Sequence, residues 1–312
     1  MPYPIRYLPR PDTIYEVTWR CLQRRFLLRP STMLNLIVLG VIGRALSLCP
    51  GVQIYGLFVA SNHIHMLISV PNMEMLARFM CHVGNNISRE VGRIHDWSGH
   101  MWQRRYRSIS VEDAHALYER LHYLYSHGCK ENLVSSPLEW PGVSSARAVA
   151  FGEPLEGIWY NRAAYCRAAR GSKPVHLEDF ATRYPVQLSP MPGFEDLDPA
   201  AAQTLYRDLM TEIRDETWRR HRSEGTSPLG REAVLATRPH DRPPEAEDRP
   251  APLCHASSRK VRLDFMEAYR RFVAGYRSAA AAFRTGLLDV EFPGDCFPPP
   301  PAYCRASGPD PP

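Results

Sequence analysis

The chain has 312 residues, of which 44% are hydrophobic, so it can hold one large or two modest domains with a real core. Its formal net charge is +5, and all but three of its 38 basic residues are arginines, which suits a nucleic-acid partner but does not by itself indicate one. No run of about 18 apolar residues exists, and the N-terminus lacks the apolar core of a signal peptide. We therefore expect a cytoplasmic protein with no membrane partner.

The eight cysteines are scattered and form no C-x-x-C pair. A zinc ribbon or a disulfide framework needs closer and more regular spacing. The sequence therefore predicts free thiols, and the chemistry of the protein is expected to depend on other residues.

The first half of the chain alternates strand and helix patterns. Alternating β-branched and aromatic residues predict strands at 13–20, 52–60, 63–70 and 106–111. Apolar positions at helical spacing predict helices at 33–48, 73–93 and 113–126, with the last one stopped by Gly128. This order, β-α-β-β-α-β with a trailing helix, predicts an α+β fold with a ferredoxin-like antiparallel sheet.

The composition changes after about residue 168. We predict a domain over residues 1–168, a proline-bearing linker over 169–195, a mainly helical accessory region over 196–290 and a proline-rich, disordered tail over 291–312. Within the accessory region, residues 240–252 are expected to be extended. Its arginine-rich helices fit a DNA- or protein-contacting part and a solvated surface equally well.

Two histidines lie at the start of the third strand. Only Ser61 and Asn62 separate this strand from the second, which predicts a tight antiparallel hairpin. His63 and His65 then share one face of the strand, because side chains two apart point the same way. Two imidazoles on one face can chelate a divalent metal, although an isolated H-x-H is more often an ordinary pair of strand residues.

A tyrosine and a third histidine lie on the trailing helix. Tyr123 and His127 are four residues apart and so share a helical face. A tyrosine hydroxyl, with a pKa of about 10, is a poor nucleophile unless a metal polarises the group that it attacks. Tyr118 and Tyr125 are rival tyrosines on the same helix, and His122 lies about 100° away around it.

Basic and aromatic residues are interleaved just before the fourth strand. The segment WQRRYRS contains Trp102, Arg104, Arg105 and Arg107. Arginines can hold a phosphate strand while an aromatic ring stacks on a base. We therefore predict that these four residues bind DNA, the alternative being a solvated strand edge.

Four segments in consistent order carry a family resemblance. SNHIHMLIS resembles the metal-binding strand of the HUH nucleases, and GHMWQRRYRSISVED, YLYSHGCKENLV and EWPGVSSARA resemble later motifs of the REP-associated tyrosine transposases in that superfamily. The resemblance covers roughly residues 5–155. It differs at His127, where the family usually has asparagine or glutamine, and at HGC, where the family usually has an asparagine-proline pair.

The resemblance implies a single-strand DNA endonuclease and transposase that works without ATP. It implies that His63, His65 and His127 hold Mg²⁺ or Mn²⁺ and that Tyr123 forms a 5′-phosphotyrosine intermediate. The implied partner is single-stranded DNA that forms hairpins, and the protein is expected to act as a monomer or homodimer.

Three alternatives stay open at the level of the sequence. A domesticated protein would bind DNA hairpins without cutting them, consistent with the departure at His127. An RNA-binding module shares the β-α-β-β-α-β order, although its sheet usually carries aromatics where this chain has histidines. A hydrolytic metalloenzyme would use the three histidines without a tyrosine.

Overall fold

The structure is a computed structural model that describes residue 5 and residues 7–10, 12–244 and 251–300. The described residues form seven strands: β1 (Ile14–Arg20), β2 (Gln53–Ala60), β3 (His63–Ser69), β4 (Arg107–Val111), β5 (Glu156–Tyr160), β6 (Ala181–Pro185) and β7 (Cys254–His255). They also form eight α-helices: α1 (Thr32–Leu48), α2 (Met73–His95), α3 (Ala114–Lys130), α4 (Ala146–Phe151), α5 (Arg162–Ala168), α6 (Pro199–Glu224), α7 (Arg231–Ala236) and α8 (Arg259–Arg284). The predicted strands and helices of the first half are found with ends shifted by a few residues.

The central sheet has the strand order β2-β3-β1-β4-β7. The pairs among β1, β2, β3 and β4 are all antiparallel. The predicted α+β fold with a ferredoxin-like sheet is therefore confirmed. The fifth strand was not predicted: β7 comes from the C-terminal region and pairs with β4 in parallel.

One face of the sheet is closed by α1 and α2. Val17 of β1 and Phe79 of α2 are fully buried in the core between these layers. Trp19 lies against α2 at Gly84, where a Cβ atom would come within 2.1 Å of the indole Cη2. Only glycine permits this close packing of the helix on the sheet.

The other face of the sheet is covered by α3 over part of its area. Leu121 and Leu124 of this helix are buried together with Phe58 of β2 and Leu67 of β3. The polar side chains of β1, described below, lie on the same face. This arrangement brings α3 beside the start of β3.

The helix α3 does not stop at Gly128 as predicted but continues to Lys130. Gly128 is a packing position rather than a helix end, because a Cβ atom there would lie 3.0 Å from Val134 Cγ2 and 3.2 Å from Trp140 Cε3. His127 is therefore a helical residue and keeps its register with Tyr123.

The segments beyond residue 168 pack on the first half of the chain. Strand β6 lies within the predicted linker 169–195 and pairs with β5, and both strands contact α1. Helix α6 packs on α3 and α4. Residues 245–250, within the stretch expected to be extended, and residues 301–312 of the predicted tail lie outside the described residues.

The seven cysteines that the structure describes are free thiols. Over the described ranges, none of the helices combines the length and the apolar character that crossing a membrane requires.

Candidate metal and nucleic-acid site

Three histidines from two elements meet beside the sheet. His63 and His65 lie on β3, and His127 comes from α3. Their ring centroids are 4.6 to 4.8 Å apart, and the ligand nitrogens lie within 4.8 Å of one another. A cluster of this size could hold one metal ion once the rings move slightly closer together.

Neighbouring polar groups fix the orientation of two of these rings. His63 Nδ1 donates a hydrogen bond to Asn62 Oδ1 at 2.5 Å. His65 Nδ1 lies 3.3 Å from Thr18 Oγ1. Contacts at Nδ1 leave Nε2 of each ring as the atom for a metal.

His127 provides the test of whether a cation fits. Its side chain is only 6% exposed, and its Nε2 atom is buried without a hydrogen-bond partner. A buried nitrogen without a partner is costly, and a metal ion would satisfy it. The donor set therefore fits a divalent transition metal that accepts imidazole.

The protonation states of the three rings also suit a metal. Burial is the main cause that lowers the pKa of His127 to about 4, with a smaller contribution from the nearby Arg20. Burial is also the main reason that the pKa values of His63 and His65 lie well below their usual range, with the other imidazoles adding to the effect. All three rings are thus neutral at physiological pH, as metal ligation requires.

Tyr123 lies next to the histidine cluster. Its ring centroid is 5.8 Å from that of His65 and 5.7 Å from that of His127. Arg120 Cζ and Lys130 Nζ lie 5.1 and 4.9 Å from the ring centroid. Burial and the nearby carboxylates of Glu16 and Glu131 raise the pKa of the hydroxyl, although Arg120 and Arg20 lower it, so Tyr123 is a phenol that must lose its proton to react.

The two rival tyrosines on α3 are placed differently. Tyr125 is fully buried, and its hydroxyl lies 3.0 Å from Ser145 Oγ in the core. Tyr118 is exposed and donates to Glu212 on α6. His122 also faces α6, where its Nε2 lies 3.3 Å from Glu216. Of the three tyrosines, Tyr123 alone borders the histidines.

An arginine-rich cleft of about 220 Å³ opens beside His65 and Tyr123. The predicted DNA-binding residues Arg104, Arg105 and Arg107 line it, together with Arg20 and Arg120, which the sequence analysis did not select. This clustering of guanidinium groups suits a phosphate chain.

Trp102 lies apart from this cleft. Its indole stacks on Trp19 with ring centroids 4.3 Å apart, and its Nε1 donates to the carbonyl of Gly84. These contacts give the ring a structural role in joining the sheet to α2. Base stacking by Trp102 stays a prediction.

Sequence reasoning also missed the polar residues that β1 presents to the site. Glu16, Thr18 and Arg20 alternate along the strand and line the cleft. Thr18 pairs directly with His65 in the β1–β3 register. Once β1 was assigned beside β3, the alternation could have identified this face. No local signal pointed to His255, which reaches the cleft from β7.

A comparison with protein families matches the part of the chain that contains most of this site. Residues 11–125 match the model of the family described as IS200-like transposases. The matched segment is about a third of the chain and is similar to this transposase family. The match includes His63, His65 and Tyr123 and ends two residues before His127. Over these residues the match agrees with the resemblance found in the sequence.

Two solved structures are similar to parts of the chain. One is a REP-associated tyrosine transposase bound to a REP hairpin, with 20% identity and a TM-score of 0.41 over 49% of this chain and 87% of that one. The other is a putative transposase from Deinococcus radiodurans R1, with 16% identity and a TM-score of 0.28 over 39% of this chain and 95% of that one. No curated protein matches the chain.

Proposed function

We propose that the transposase domain cuts and rejoins single-stranded DNA through a covalent link to Tyr123, with a divalent metal held by His63, His65 and His127. One observation carries the proposal: the half-buried Tyr123 of α3 lies between a three-histidine cluster and an arginine-lined cleft. A nucleophile, a place for a metal and a place for phosphates are thus adjacent.

The proposed step is a transesterification. The Tyr123 oxygen bonds to the scissile phosphorus as its proton departs, and the bond to the 3′ oxygen breaks. The 3′ oxygen takes up a proton, which leaves a free 3′-hydroxyl and a 5′-phosphotyrosine. Attack by another 3′-hydroxyl reverses the step and joins new ends, so no ATP is needed.

The residues around the phosphate have separate tasks. Arg120 and Lys130 flank the tyrosine ring and stabilise the phenolate as the proton leaves. The cleft arginines hold the non-bridging oxygens and the flanking phosphates. A bound metal supplies Lewis-acid polarisation of the phosphate. Three imidazole ligands favour Mn²⁺ over Mg²⁺, which prefers oxygen ligands.

The substrate is proposed to be the single-stranded flank of a DNA hairpin. The positive cleft supports contact with an extended phosphate chain. The hairpin itself rests on the resemblance to the REP-associated transposases. A pool of 3′-labelled hairpin oligonucleotides with randomised flanks is therefore the suitable probe.

The test is covalent capture with this pool and Mn²⁺, read as a labelled protein band under denaturing conditions. We expect an adduct from the intact protein and none from Tyr123→Phe. Tyr118→Phe is the matched control, because it removes an exposed hydroxyl from the same helix and should leave the adduct unchanged. An adduct that survives Tyr123→Phe would exclude Tyr123 as the nucleophile.

The same assay separates the rival functions. Three histidine ligands are also typical of hydrolytic zinc enzymes. Repeated cleavage without any adduct would favour such a hydrolase, and binding without cleavage would favour an inactive DNA-binding protein. An RNA pool that competes better than the DNA pool would favour an RNA-binding role.

A further inference from the structure

The C-terminal region supplies part of the wall of the transposase cleft. Pro252 and His255 line the cleft together with residues of β1, β3, β4 and α3. The backbone of β7 is hydrogen-bonded to that of β4. The amide of Glu112 also donates a hydrogen bond to the carbonyl of His255 at 2.9 Å. The segment after β7 is therefore held against the domain that carries the chemistry.

The same segment is tied to the start of the tyrosine helix. Asp113 caps α3 by accepting from the amide of Ala116, and it also accepts from the amide of Ser257 at 2.8 Å. Asp113 thus fixes the end of β7 relative to the helix that carries Tyr123 and His127. These hydrogen bonds fix the position of His255 relative to the central sheet and α3.

The side chain of His255 reaches a buried carboxylate beneath the histidine cluster. Its Nε2 lies 2.7 Å from Oε2 of Glu16, an ion-pair contact that lacks hydrogen-bond geometry, and the Glu16 side chain is 8% exposed. The other oxygen of Glu16, Oε1, lies 3.7 Å from His65 Nδ1. Arg120 is a third partner, with Nη1 at 4.0 Å from Oε2. Glu16 therefore lies between His65 and His255.

A buried carboxylate is stable only when charged or hydrogen-bonding partners compensate for its lost hydration. The carboxylate of Glu16 would also repel the phosphates of DNA if its side chain turned outward into the cleft. Among the described residues His255 makes the shortest contact with Oε2, while Oε1 faces His65. Carboxylates behind metal-binding histidines orient the ring and raise its basicity.

We infer that His255 is a positioning residue of the metal site, which acts through Glu16 to orient His65. The C-terminal region is then a part of the active site rather than an independent appendage. The inference rests on the proposed metal site, and it concerns a residue about 90 positions beyond the end of the predicted 1–168 domain.

The test is Co²⁺ binding by the full-length chain, followed by visible absorption. We expect His255→Ala to bind Co²⁺ about tenfold more weakly, the lower end of what loss of an outer-shell partner costs, and to change the absorption bands. His255→Gln keeps an N–H donor toward Glu16 and should restore binding to within about threefold. His115→Ala, which removes an exposed histidine from α3, should match the unaltered protein.

A double-mutant cycle covers the case in which His255→Ala folds poorly. Glu16→Gln is nearly isosteric and should weaken Co²⁺ binding, and adding His255→Gln or His255→Ala to it should have little further effect, because one chain of contacts is already broken. Thermal unfolding of each variant separates folding from binding. Normal Co²⁺ affinity and bands in folded His255→Ala, or fully additive effects in the cycle, would overturn the inference.

The two proposals fail in different ways. If the unaltered chain binds no Co²⁺, the proposed metal site is wrong and the role of His255 falls with it. If the unaltered chain binds Co²⁺ and the His255 variants bind it equally, only the role of His255 is wrong.

Discussion

The two faces of the central sheet have different roles. On one face, Val17 and Trp19 of β1 pack beneath α1 and α2 in a continuous apolar core. On the other, Glu16, Thr18 and Arg20 of the same strand line a polar cleft that α3 leaves open. A single strand thus contributes alternate residues to stability and to chemistry, because its side chains point to opposite faces in turn.

This difference between the faces determines where polar functional groups can lie in the fold. Every buried group on the helix-covered side must pack, so polar side chains there would be costly. The partly covered side holds its polar groups by pairing them with one another and by leaving a cleft for phosphates. The two faces should therefore respond to substitution in separable ways.

The largest expected effect is on the packed face. Phe79→Ala removes a fully buried ring from α2 and should lower the free energy of unfolding by about 3–5 kcal/mol, as measured by urea denaturation. The Co²⁺ affinity of the molecules that remain folded should stay unchanged. Phe151→Ala, at an exposed ring, is the matched control and should cost less than about 1 kcal/mol. A large loss of Co²⁺ affinity in folded Phe79→Ala would contradict the separation of the faces.

A smaller effect concerns pH and the polar face. The pKa of His127 is about 4 in the folded protein and about 6.5 when unfolded, so the unfolded chain binds the proton first as pH falls. This ring therefore contributes stability that is present above about pH 6.5 and is lost as pH falls toward 4. In metal-free protein, His127→Gln should reduce the loss of stability between pH 7 and pH 4.5 by about 2–3 kcal/mol.

Urea denaturation at the two pH values measures this difference. His115→Gln is the control, since that side chain is 69% exposed on the same helix. An equal acid-induced loss in His127→Gln and the unaltered protein would mean that His127 titrates normally in the fold.

The smallest effect is expected from single arginines of the cleft. Arg107→Ala should weaken binding of a single-stranded oligonucleotide and reduce the slope of log affinity against log salt by about 0.7, the value for one lost phosphate contact. Arg183→Ala removes an exposed arginine from β6, which lies outside the central sheet, and should leave the slope unchanged. Equal slopes for both variants would remove Arg107 from the DNA path.

Local patterns in the sequence predicted most of the fold. The alternation in β1, β3 and β4 and the helical spacing in α1 and α2 gave the ferredoxin-like order, and the short turn at Asn62 gave the hairpin. The predicted end of α3 was wrong because Gly128 was interpreted as a helix stop. Its small size instead permits close packing on Val134 and Trp140. Propensity reports local preference and is overridden by such tertiary contacts.

The candidate site was predicted only in part, because local patterns identify pairs of residues but not which distant pairs come together. His63 and His65 follow from strand alternation, and Tyr123 and His127 follow from helical spacing, so each pair could be identified locally. Their meeting depended on the family resemblance. The strand β7 has two residues and no pattern of its own, so its place beside β4 depends on contacts far apart in the sequence.

The hydrogen bond between Ser257 and Asp113 joins residues that are 144 positions apart, and this separation determines when the cleft can form during synthesis of the chain. A chain made from its N-terminus can form the four-strand sheet long before the ribosome reaches β7. Until then β4 is an open edge that can pair with other chains. The last wall of the cleft thus forms only after residue 255 has been made, so a product that terminates before β7 would have the histidines and the tyrosine but an incomplete cleft.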